Sequence, residues 1–463
     1  MSSVSLSESQ FVGSDRLLAG IVLSVLTFWL FAQSVINVVP AMKSSLDISL
    51  ETLTLAVSLS ALFSGCFVVA SGGLADKFGR VRMTYLGLAL SIIGSAFLAA
   101  SQGPGLFITG RILQGLSAAC IMPATLALIK TWYEGKARQR AVSFWVIGSW
   151  GGSGLCSFVG GAIATGLGWR WIFVFSIAVA LLALLLLRGT PESRSASADR
   201  HKLDVGGLLS LIASLVLLNL FISKGHQWGW SSGLSLSMLC GAVLAAAVFI
   251  RSGLRKGEAA LIDFALFRNQ AYGAAVLSNF MLNGAIGTMM ITSIWLQQGH
   301  HLSPLETGMM TLGYLVTVLA MIRVGEKLLQ RYGARLPMMT GPVFTAIGIL
   351  LISCTFLDKS LYIGTVFFSN ILFGLGLGCY ATPSTDTAVA NAPENKIGVA
   401  SGVYKMGSSL GGAMGIAVTA SLFALFLPLG MASAAQYALW FNAALCLGSM
   451  LVSAAMLPRV AHS

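Results

Sequence analysis

The stretch GGLADKFGRVR, residues 72–82, is a short hydrophilic turn between two long apolar runs. Its one carboxylate, Asp76, lies among Lys and Arg side chains, while Gly73 and Gly79 permit close backbone approach and φ angles that other residues resist. We interpret this stretch as a hinge between two helices.

Apolar runs of the same kind recur along the whole chain. The 463 residues are 56% hydrophobic and 10% charged, with a mean hydropathy of +0.83, so too few polar side chains are present to cover a soluble protein of this size. An apolar run of about 20 residues satisfies its backbone hydrogen bonds in lipid only by forming a helix. The composition therefore predicts an all-α integral membrane protein whose partner is the lipid bilayer, and not a β-barrel.

Fourteen of these runs are long enough to span a bilayer. The predicted spans cover roughly 17–40, 52–74, 84–101, 105–127, 142–166, 170–188, 204–224, 233–251, 271–296, 304–329, 335–357, 361–383, 398–426 and 434–457.

The basic residues are distributed unevenly between the two sides of the predicted membrane protein. With the N-terminus inside, 21 of the 28 Lys and Arg residues fall in connectors on the inner side, which predicts that both termini are cytoplasmic. This asymmetry also explains the formal net charge of +12 without a nucleic-acid partner. The seven cysteines form no CxxC pair and the five histidines lie in connectors or the tail, so no metal site is predicted.

The connector after span ten, EKLLQRYGAR at residues 326–335, repeats the order Leu, polar, Lys or Arg, aromatic, Gly found in residues 72–82. This repetition predicts a duplicated six-helix unit, with spans seven and eight as an inserted pair. We therefore expect an N-terminal bundle at 1–188, a linker with two extra helices at 189–270, and a C-terminal bundle at 271–463.

Several stretches resemble one family. Residues 72–82 resemble the loop between spans two and three of the major facilitator superfamily, and RILQGLSAACIMP, residues 111–123, resembles its basic span-four motif. Stretches similar to signatures of the fourteen-span drug:proton antiporters in that superfamily are GWRWIFV (168–174), LDVGGLLSLIASLVLLNL (203–220), LIDFALFRNQ (261–270) and LSPLETGMM (302–310). The resemblance covers essentially the whole chain and implies the major facilitator fold, with two six-helix bundles plus two inserted helices.

The resemblance also implies a function. It implies a proton-coupled exporter of amphiphilic drugs, of the quinolone type with dyes and biocides as further substrates, working by alternating access in the bacterial inner membrane as a monomer. No cofactor is implied, because the proton gradient supplies the energy and the sequence carries no phosphate-binding loop for ATP. The alternatives are an exporter of one endogenous metabolite, a non-transporting membrane receptor, and an intramembrane enzyme. The short connectors leave no room for a receptor's signalling domain, and no nucleophile and base pair is evident for an enzyme.

Asp76 has a specific role by this resemblance. It would lie beside the start of span thirteen near Gly398, where the helix dipole favours a carboxylate, and would latch the inner side when the cavity opens outward. The second loop has Gln330 in the equivalent place, so the latch is expected to be asymmetric. The latch residues are Gly73, Asp76, Gly79 and Arg80.

The chain departs from the family pattern in two places. The span-five antiporter motif usually closes in Gly-Pro-x-x-Gly-Gly, but Cys156 and Ser157 stand at the Gly-Pro, which removes the proline that would kink the span. Many relatives also carry an aspartate in span one where this chain has Ala32, so one common proton or cation site is missing. The motif glycines that would form a close-packing face are retained as Gly148, Gly152, Gly160 and Gly161.

Arg111 and Lys405 lie deeper in their predicted spans than any acidic residue. Arg111 is about 9 Å into span four and is either a snorkelling arginine or, as the resemblance implies, the basic residue linked to proton coupling. Lys405 in span thirteen is a candidate for proton coupling, for substrate anchoring, or for a structural pair with Asp386 or Glu326. A cavity with this charge balance should suit neutral, zwitterionic or anionic amphiphiles better than lipophilic dications.

Other polar residues in the spans are weaker candidates for coupling or substrate binding. Arg323 and Glu326 are three residues apart and could simply form a local ion pair, and Asp386 could be a cap or a gate. Aromatic and amide side chains could line a polyspecific cavity, or instead anchor the protein at the lipid interface or bond helices together. They are Trp29, Phe31, Gln33, Asn37, Trp145, Trp150, Asn279, Asn283, Trp295, Gln297 and Tyr380.

Overall fold

The computed structural model describes residues 12–48, 50–195, 204–302 and 304–458, and throughout these ranges the secondary structure is helical. The prediction of an all-α membrane protein is confirmed. The α-helices are α1 (Asp15–Leu26), α2 (Val35–Leu46), α3 (Leu50–Phe78), α4 (Arg80–Ala100), α5 (Pro104–Trp132), α6 (Gly135–Val146), α7 (Gly152–Gly166), α8 (Arg170–Leu187), α9 (Val205–Trp228), α10 (Gly233–Lys256), α11 (Gln270–Gly284), α12 (Gly287–Ile294), α13 (Pro304–Met310), α14 (Leu312–Tyr332), α15 (Arg335–Ile352), α16 (Lys359–Ala390), α17 (Ile397–Phe426) and α18 (Met431–Met456).

Among the described residues, 13 helices are long and apolar enough to cross a membrane. A bent pair, Gly135–Cys156 and Phe158–Gly166, makes a fourteenth span when counted as one. The fourteen predicted spans therefore each have a helical counterpart. Three of the spans are interrupted by π-helical turns, at Thr27–Ala32, Ile147–Gly151 and Trp295–Gly299.

Span twelve ends later than hydropathy predicts. Its helix, α16, continues past Pro383 to Ala390, so Asp386 lies inside the helix. Proline removes one backbone donor, the one that would bond the carbonyl of Cys379, and the helix continues through this gap. The hydroxyls of Thr385 and Thr387 donate to the carbonyls of Ala381 and Pro383.

The stretch at 72–82 is more helical than the hinge interpretation assumed. Helix α3 runs to Phe78 and α4 begins at Arg80, so the turn is the single residue Gly79, whose φ is 121°. The second loop has the same construction, because α14 ends at Tyr332 and Gly333 follows with a φ of 76°. Both connectors thus end a helix on an aromatic residue followed by a glycine at positive φ, as the sequence repeat predicts.

The described chain forms two compact units. The first contains residues 1–204 together with Ala392–Lys405, and the second contains Val205–Asn391 and Met406–Ser463. Helix α17 therefore begins in the first unit and continues in the second. The predicted boundaries at residues 188 and 270 stay a prediction.

In the first unit α5 is the central helix, with 83% of its spanning window buried. It packs against α3 and α4, and α8 packs against α1 and α4. In the second unit α16 packs against α14 and α15, and α11 packs against α18. The inserted helices α9 and α10 pack on each other, and only 11% and 17% of their spanning windows are buried, which fits helices that face lipid.

Span five is bent although it lacks the family proline. Its two segments on either side of Ser157 are inclined by 51°, and the π-helical turn at Ile147–Gly151 lies just before the bend. A π-turn is a recognised cause of a helix kink. The hydroxyl of Ser34 in span one donates to the carbonyl of Cys156 (2.7 Å), which joins the two spans at the bend.

The glycines of span five differ in what they face. A Cβ at Gly152 would lie 3.1 Å from Leu26 Cδ2, and one at Gly160 would lie 2.6 Å from Ser34 Cβ, so both glycines allow span one to approach closely. A Cβ at Gly148 would make only ordinary contact with Val22, at 3.4 Å, and a Cβ at Gly161 would meet nothing within 4 Å.

Gly160, which faces Ser34, and Gly161, which faces open space, can be compared as a matched pair of alanine variants. Gly160→Ala should lower stability by about 1–3 kcal/mol because the new methyl group overpacks against Ser34, whereas Gly161→Ala should leave stability unchanged or slightly raise it. Thermal unfolding of the detergent-solubilised variants measures the difference. Equal melting temperatures for the two variants would contradict the close packing of spans one and five.

Candidate functional site

Asp76, near the end of α3, is bonded to the start of α17. The backbone N–H of Gly398 donates to its Oδ1 (2.9 Å) and that of Val399 to its Oδ2 (3.1 Å). These N–H groups are among those left free by the first turn of a helix, and the helix dipole adds a favourable field for the carboxylate. The carboxylate therefore caps α17 from a different helix.

Arg80, one turn after Asp76, completes this cluster. Its Nη2 lies 3.0 Å from Asp76 Oδ1, its Nη1 donates to Thr131 Oγ1 (2.8 Å), and both members of the ion pair are buried. Arg80 Nη2 also donates to the carbonyl of Glu394 (3.2 Å), just before α17. The pair thus ties α3, α5 and the segment before α17 together.

Glu192 is a member of this cluster that sequence analysis missed. Its carboxylate accepts the N–H groups of Val81 and Arg82, each at 2.9 Å, and so caps α4. Ser195 N–H donates to the carbonyl of Asp76 (2.8 Å). Nothing in the sequence marks Glu192, because the backbone groups of α4 that it bonds lie 110 and 111 residues away, and its own connector is rich in Ser and Arg.

The close backbone approach expected at Gly73 occurs one residue earlier. A Cβ at Gly72 would collide with the carbonyl of Gly398, whereas a Cβ at Gly73 would make ordinary contact with Val399, at 3.6 Å. The approach continues along α17, where a Cβ at Gly402 would lie 2.8 Å from the carbonyl of Val68. Helices α3 and α17 are therefore in near backbone contact beside Asp76.

Arg111 is fully buried in α5 and does not snorkel. Its guanidinium donates to the carbonyl of Ala32 (2.8 Å), to Gln114 Oε1 (2.7 Å) and to Ser60 Oγ (2.7 Å). These three acceptors are neutral oxygens that solvate the guanidinium. Ser60 is a second residue that the sequence did not single out, since it is one of many serines in the spans.

The contact with Ala32 gives a physical meaning to a departure from the family pattern. Ala32 ends the π-helical turn Thr27–Ala32, where the regular hydrogen-bond ladder of span one breaks. Arg111 bonds the backbone of the position at which the family pattern described above has an aspartate. The carbonyl takes the place of the side chain as an acceptor, but it brings no negative charge.

Lys405 lies against two tryptophans. Its Nζ is 5.1 Å from the ring centroid of Trp145 and 5.5 Å from that of Trp29, and the residue is 8% exposed. Each indole is fixed from α5, because Trp145 Nε1 donates to Thr125 Oγ1 (2.9 Å) and Trp29 Nε1 to Met122 Sδ (3.3 Å). We call Lys405, Trp29 and Trp145 the lysine cage. The sequence analysis listed these three residues as separate candidates, and the structure places them in contact.

Three predicted cavity residues of the second unit, Tyr380, Asn279 and Asn283, take part in hydrogen bonds within and between helices. Tyr380 Oη lies 2.6 Å from Ser278 Oγ and accepts from Ser384 Oγ (3.1 Å). Asn279 Nδ2 donates to Ser408 Oγ (2.5 Å), and Asn283 Nδ2 donates to Asn279 Oδ1 (2.8 Å). This network joins α11 to α16 and α17 within the unit.

The remaining candidates are dispersed. Arg323 and Glu326 form the ion pair that their spacing predicts, and Gln330 Nε2 donates to Glu326 Oε1 (3.1 Å). Asp386 is buried within α16, and its role as a cap or a gate stays a prediction. Gln33 and Trp150 are half-buried beside π-helical turns, and the side chain of Asn37 lies outside the described residues.

A cavity of about 180 Å³ lies in the second unit. Gln297 and Asn370 are among its polar lining residues, and Gln297 is its one lining residue among the predicted cavity side chains. Drug-sized ligands occupy pockets of about 300–1,000 Å³, so this cavity is too small to hold one.

Comparison with known proteins identifies the architecture. Residues 17–290 and 271–463 match the family model described as Major Facilitator Superfamily. The chain is 50% identical over 454 residues, 98% of both chains, to "Quinolone resistance protein NorB" of Staphylococcus aureus strains MRSA252 and MW2. Among solved structures it resembles the proton:xylose symporter XylE, with a TM-score of 0.68, 16% identity and 96% of each chain covered. The human organic anion transporter MFSD10 gives a TM-score of 0.63 at 16% identity, with 95% of this chain and 98% of that chain covered.

The network around Tyr380 predicts a structural role for its hydroxyl. Tyr380→Phe should lower the free energy of unfolding by about 1 kcal/mol, because a buried hydroxyl that bonds two serines is lost. Tyr437→Phe is the control, since Tyr437 is 37% exposed. Thermal unfolding in detergent measures both variants, and an unchanged stability of Tyr380→Phe would indicate that the hydroxyl serves a purpose other than packing the unit.

Proposed function

The chain belongs to the major facilitator superfamily, and from this premise we propose that it is a proton-coupled exporter of amphiphilic drugs. It works by alternating access, as a monomer, in the bacterial inner membrane. Both termini are cytoplasmic, as the distribution of Lys and Arg indicates. The observation that carries the proposal is the 50% identity, over 98% of both chains, to a protein named for quinolone resistance.

The substrates follow from that similarity and from the charges of the first unit. We propose quinolone-type drugs, with dyes and biocides as further substrates. Arg111 and Lys405 are buried cations of the first unit, and its buried acid Asp76 is already bonded to Arg80. This balance favours zwitterionic and anionic amphiphiles over dications.

The energy source is the proton gradient, and Arg111 is the residue through which we propose that coupling acts. Its guanidinium lies between spans one, two and four, bonded to the break in span one at Ala32 and to Ser60 of span two. A proton-linked change at any of these contacts would alter how the three spans pack. Arg111 thus acts by positioning the helices that move.

The Asp76 cluster supports the alternating-access part of the proposal. Asp76 holds the first turn of α17, the helix that begins in the first unit and continues in the second. Release of these bonds would free the start of α17 from α3. We propose that the cluster is the inner latch, closed in this structure by two N–H bonds and one ion pair.

Transport in proteoliposomes tests the function. With an imposed pH gradient the wild type should export norfloxacin and ethidium, and without one it should not concentrate either drug. Arg111→Ala should abolish gradient-driven export and Arg111→Lys should reduce it at least about tenfold, because an ammonium cannot bond all three acceptors at once.

The exposed Arg251 supplies the control, and Arg251→Ala should transport like the wild type. Export that is independent of the pH gradient would contradict the antiporter. Normal coupling in both Arg111 variants would remove Arg111 from the coupling mechanism.

The latch is tested by Asp76→Asn. The amide removes the charge that pairs with Arg80 and turns one acceptor oxygen into a donor facing a backbone N–H, so the inward-open population should rise while the protein still folds. A cysteine placed at Val403, which is 2% exposed in α17, reports this opening through its labelling rate in a variant whose exposed Cys240 is replaced by Ser.

Glu134→Gln, an exposed acid on the same predicted side, is the control and should leave the labelling rate at the wild-type value. An unaltered labelling rate in Asp76→Asn would refute the latch.

A further inference from the structure

Lys405 is a buried cation whose contacts in the described residues are aromatic faces. The residue is 92% buried, since 8% of its surface is accessible, and no ion pair joins it to an acid anywhere in the described ranges. Its two nearest charge-stabilising groups are the rings of Trp145 and Trp29, at 5.1 Å and 5.5 Å. The alternative partners considered from the sequence, Asp386 and Glu326, belong to the second unit.

Aromatic faces compensate only part of the cost of burying an ammonium. A cation–π contact offsets less free energy than removal of an ion from water costs. A buried ion pair with added hydrogen bonds would close the gap, and no acid of the described residues forms one with Lys405. The lysine cage is therefore organised to receive an anionic group.

The cage is preorganised by its surroundings. Trp145 is bonded to Thr125 and Trp29 to Met122, so both rings are held from α5 before any ligand arrives. Gly402, three residues before Lys405, packs against Val68, so the backbone of α17 lies close to α3 at this point. Binding an anion here requires little reordering of side chains, which favours affinity.

We propose that the lysine cage is the subsite for the carboxylate of an aryl-carboxylate substrate. The ammonium of Lys405 donates to the carboxylate, and the attached flat ring packs against the exposed part of Trp29, which is half-buried. The inference rests on the proposed function, since it names the group of an exported drug that the chain recognises. It makes Lys405 a specificity-determining residue for acidic drugs.

Binding to the detergent-purified full chain tests the subsite. The probes are norfloxacin, its methyl ester, which lacks the anionic group, and ethidium, which has no carboxylate; isothermal titration calorimetry gives each Kd. The wild type should bind the acid about tenfold or more tightly than the ester, because a hydrogen bond to a charged group is lost in the ester. Lys405→Gln should weaken binding of the acid by the same factor and change that of the ester and of ethidium less than about twofold.

Two further variants keep the test decisive. Lys405→Arg retains the charge and should retain the preference for acid over ester, and Lys327→Gln, which removes an exposed lysine of α14, should bind all three probes like the wild type. If Lys405→Gln does not fold, the wild-type preference and the Lys405→Arg variant decide the matter. Equal affinity of the wild type for acid and ester, or equal weakening of both in Lys405→Gln, would overturn the subsite.

Failure of the proposed function looks different. A wild type that exports neither norfloxacin nor ethidium under a pH gradient would contradict the exporter. Export of both drugs with no preference for the acid would leave the exporter intact and remove only the carboxylate subsite.

Discussion

Burial of charge in a medium of low dielectric is the constraint on which the first unit depends. Three buried charged residues inside it, Asp76, Arg111 and Lys405, are each accommodated differently. Asp76 is held by an arginine and two helix N–H groups, Arg111 by neutral oxygens, and Lys405 by aromatic faces. The first arrangement cancels charge, the second solvates it, and the third leaves it available. The bonds of Asp76 therefore hold helices together and those of Arg111 position helices. Lys405 is the group that can receive a ligand.

The π-helical turns of spans one and five place the groups that surround these charges. Trp29 and Ala32 lie within the turn at Thr27–Ala32, and Trp145 comes two residues before the turn at Ile147–Gly151. A π-turn shifts the side chains that follow it around the helix axis and interrupts the hydrogen-bond ladder. In span one this brings an indole toward Lys405 and a carbonyl toward Arg111 from neighbouring positions. In span five it accompanies a bend of 51°, so the bend does not require the proline that relatives carry there.

Hydrophobicity alone predicted the number of spans and the helical fold, because about 20 apolar residues in lipid leave the backbone no other choice. It placed the end of span twelve too early, since Pro383 and the polar residues after it lower the hydropathy without ending the helix. The candidate residues Arg111 and Lys405 could be named because a buried charge is costly in any sequence. Their partners could not be named, since periodicity within one helix says nothing about the register between two. Asn279, Asn283 and Tyr380 show the same limit, because amide and aromatic side chains suit a cavity and a helix interface equally well.

The replacement of an aspartate by Ala32 connects the coupling residue with the proposed substrate. In relatives that carry the acid, a carboxylate at this position would lie next to the guanidinium and lower the positive potential of the first unit. Here Arg111 keeps its contact to the same position through the backbone carbonyl, so the geometry survives without the negative charge. The interior of the unit holds two cations, Arg111 bonded to neutral oxygens and Lys405 in contact with aromatic rings. A dication bound near them would be repelled by both, whereas a carboxylate would be attracted by both. The neutral residue at position 32 thus supports the proposed preference for acidic and zwitterionic drugs over lipophilic dications.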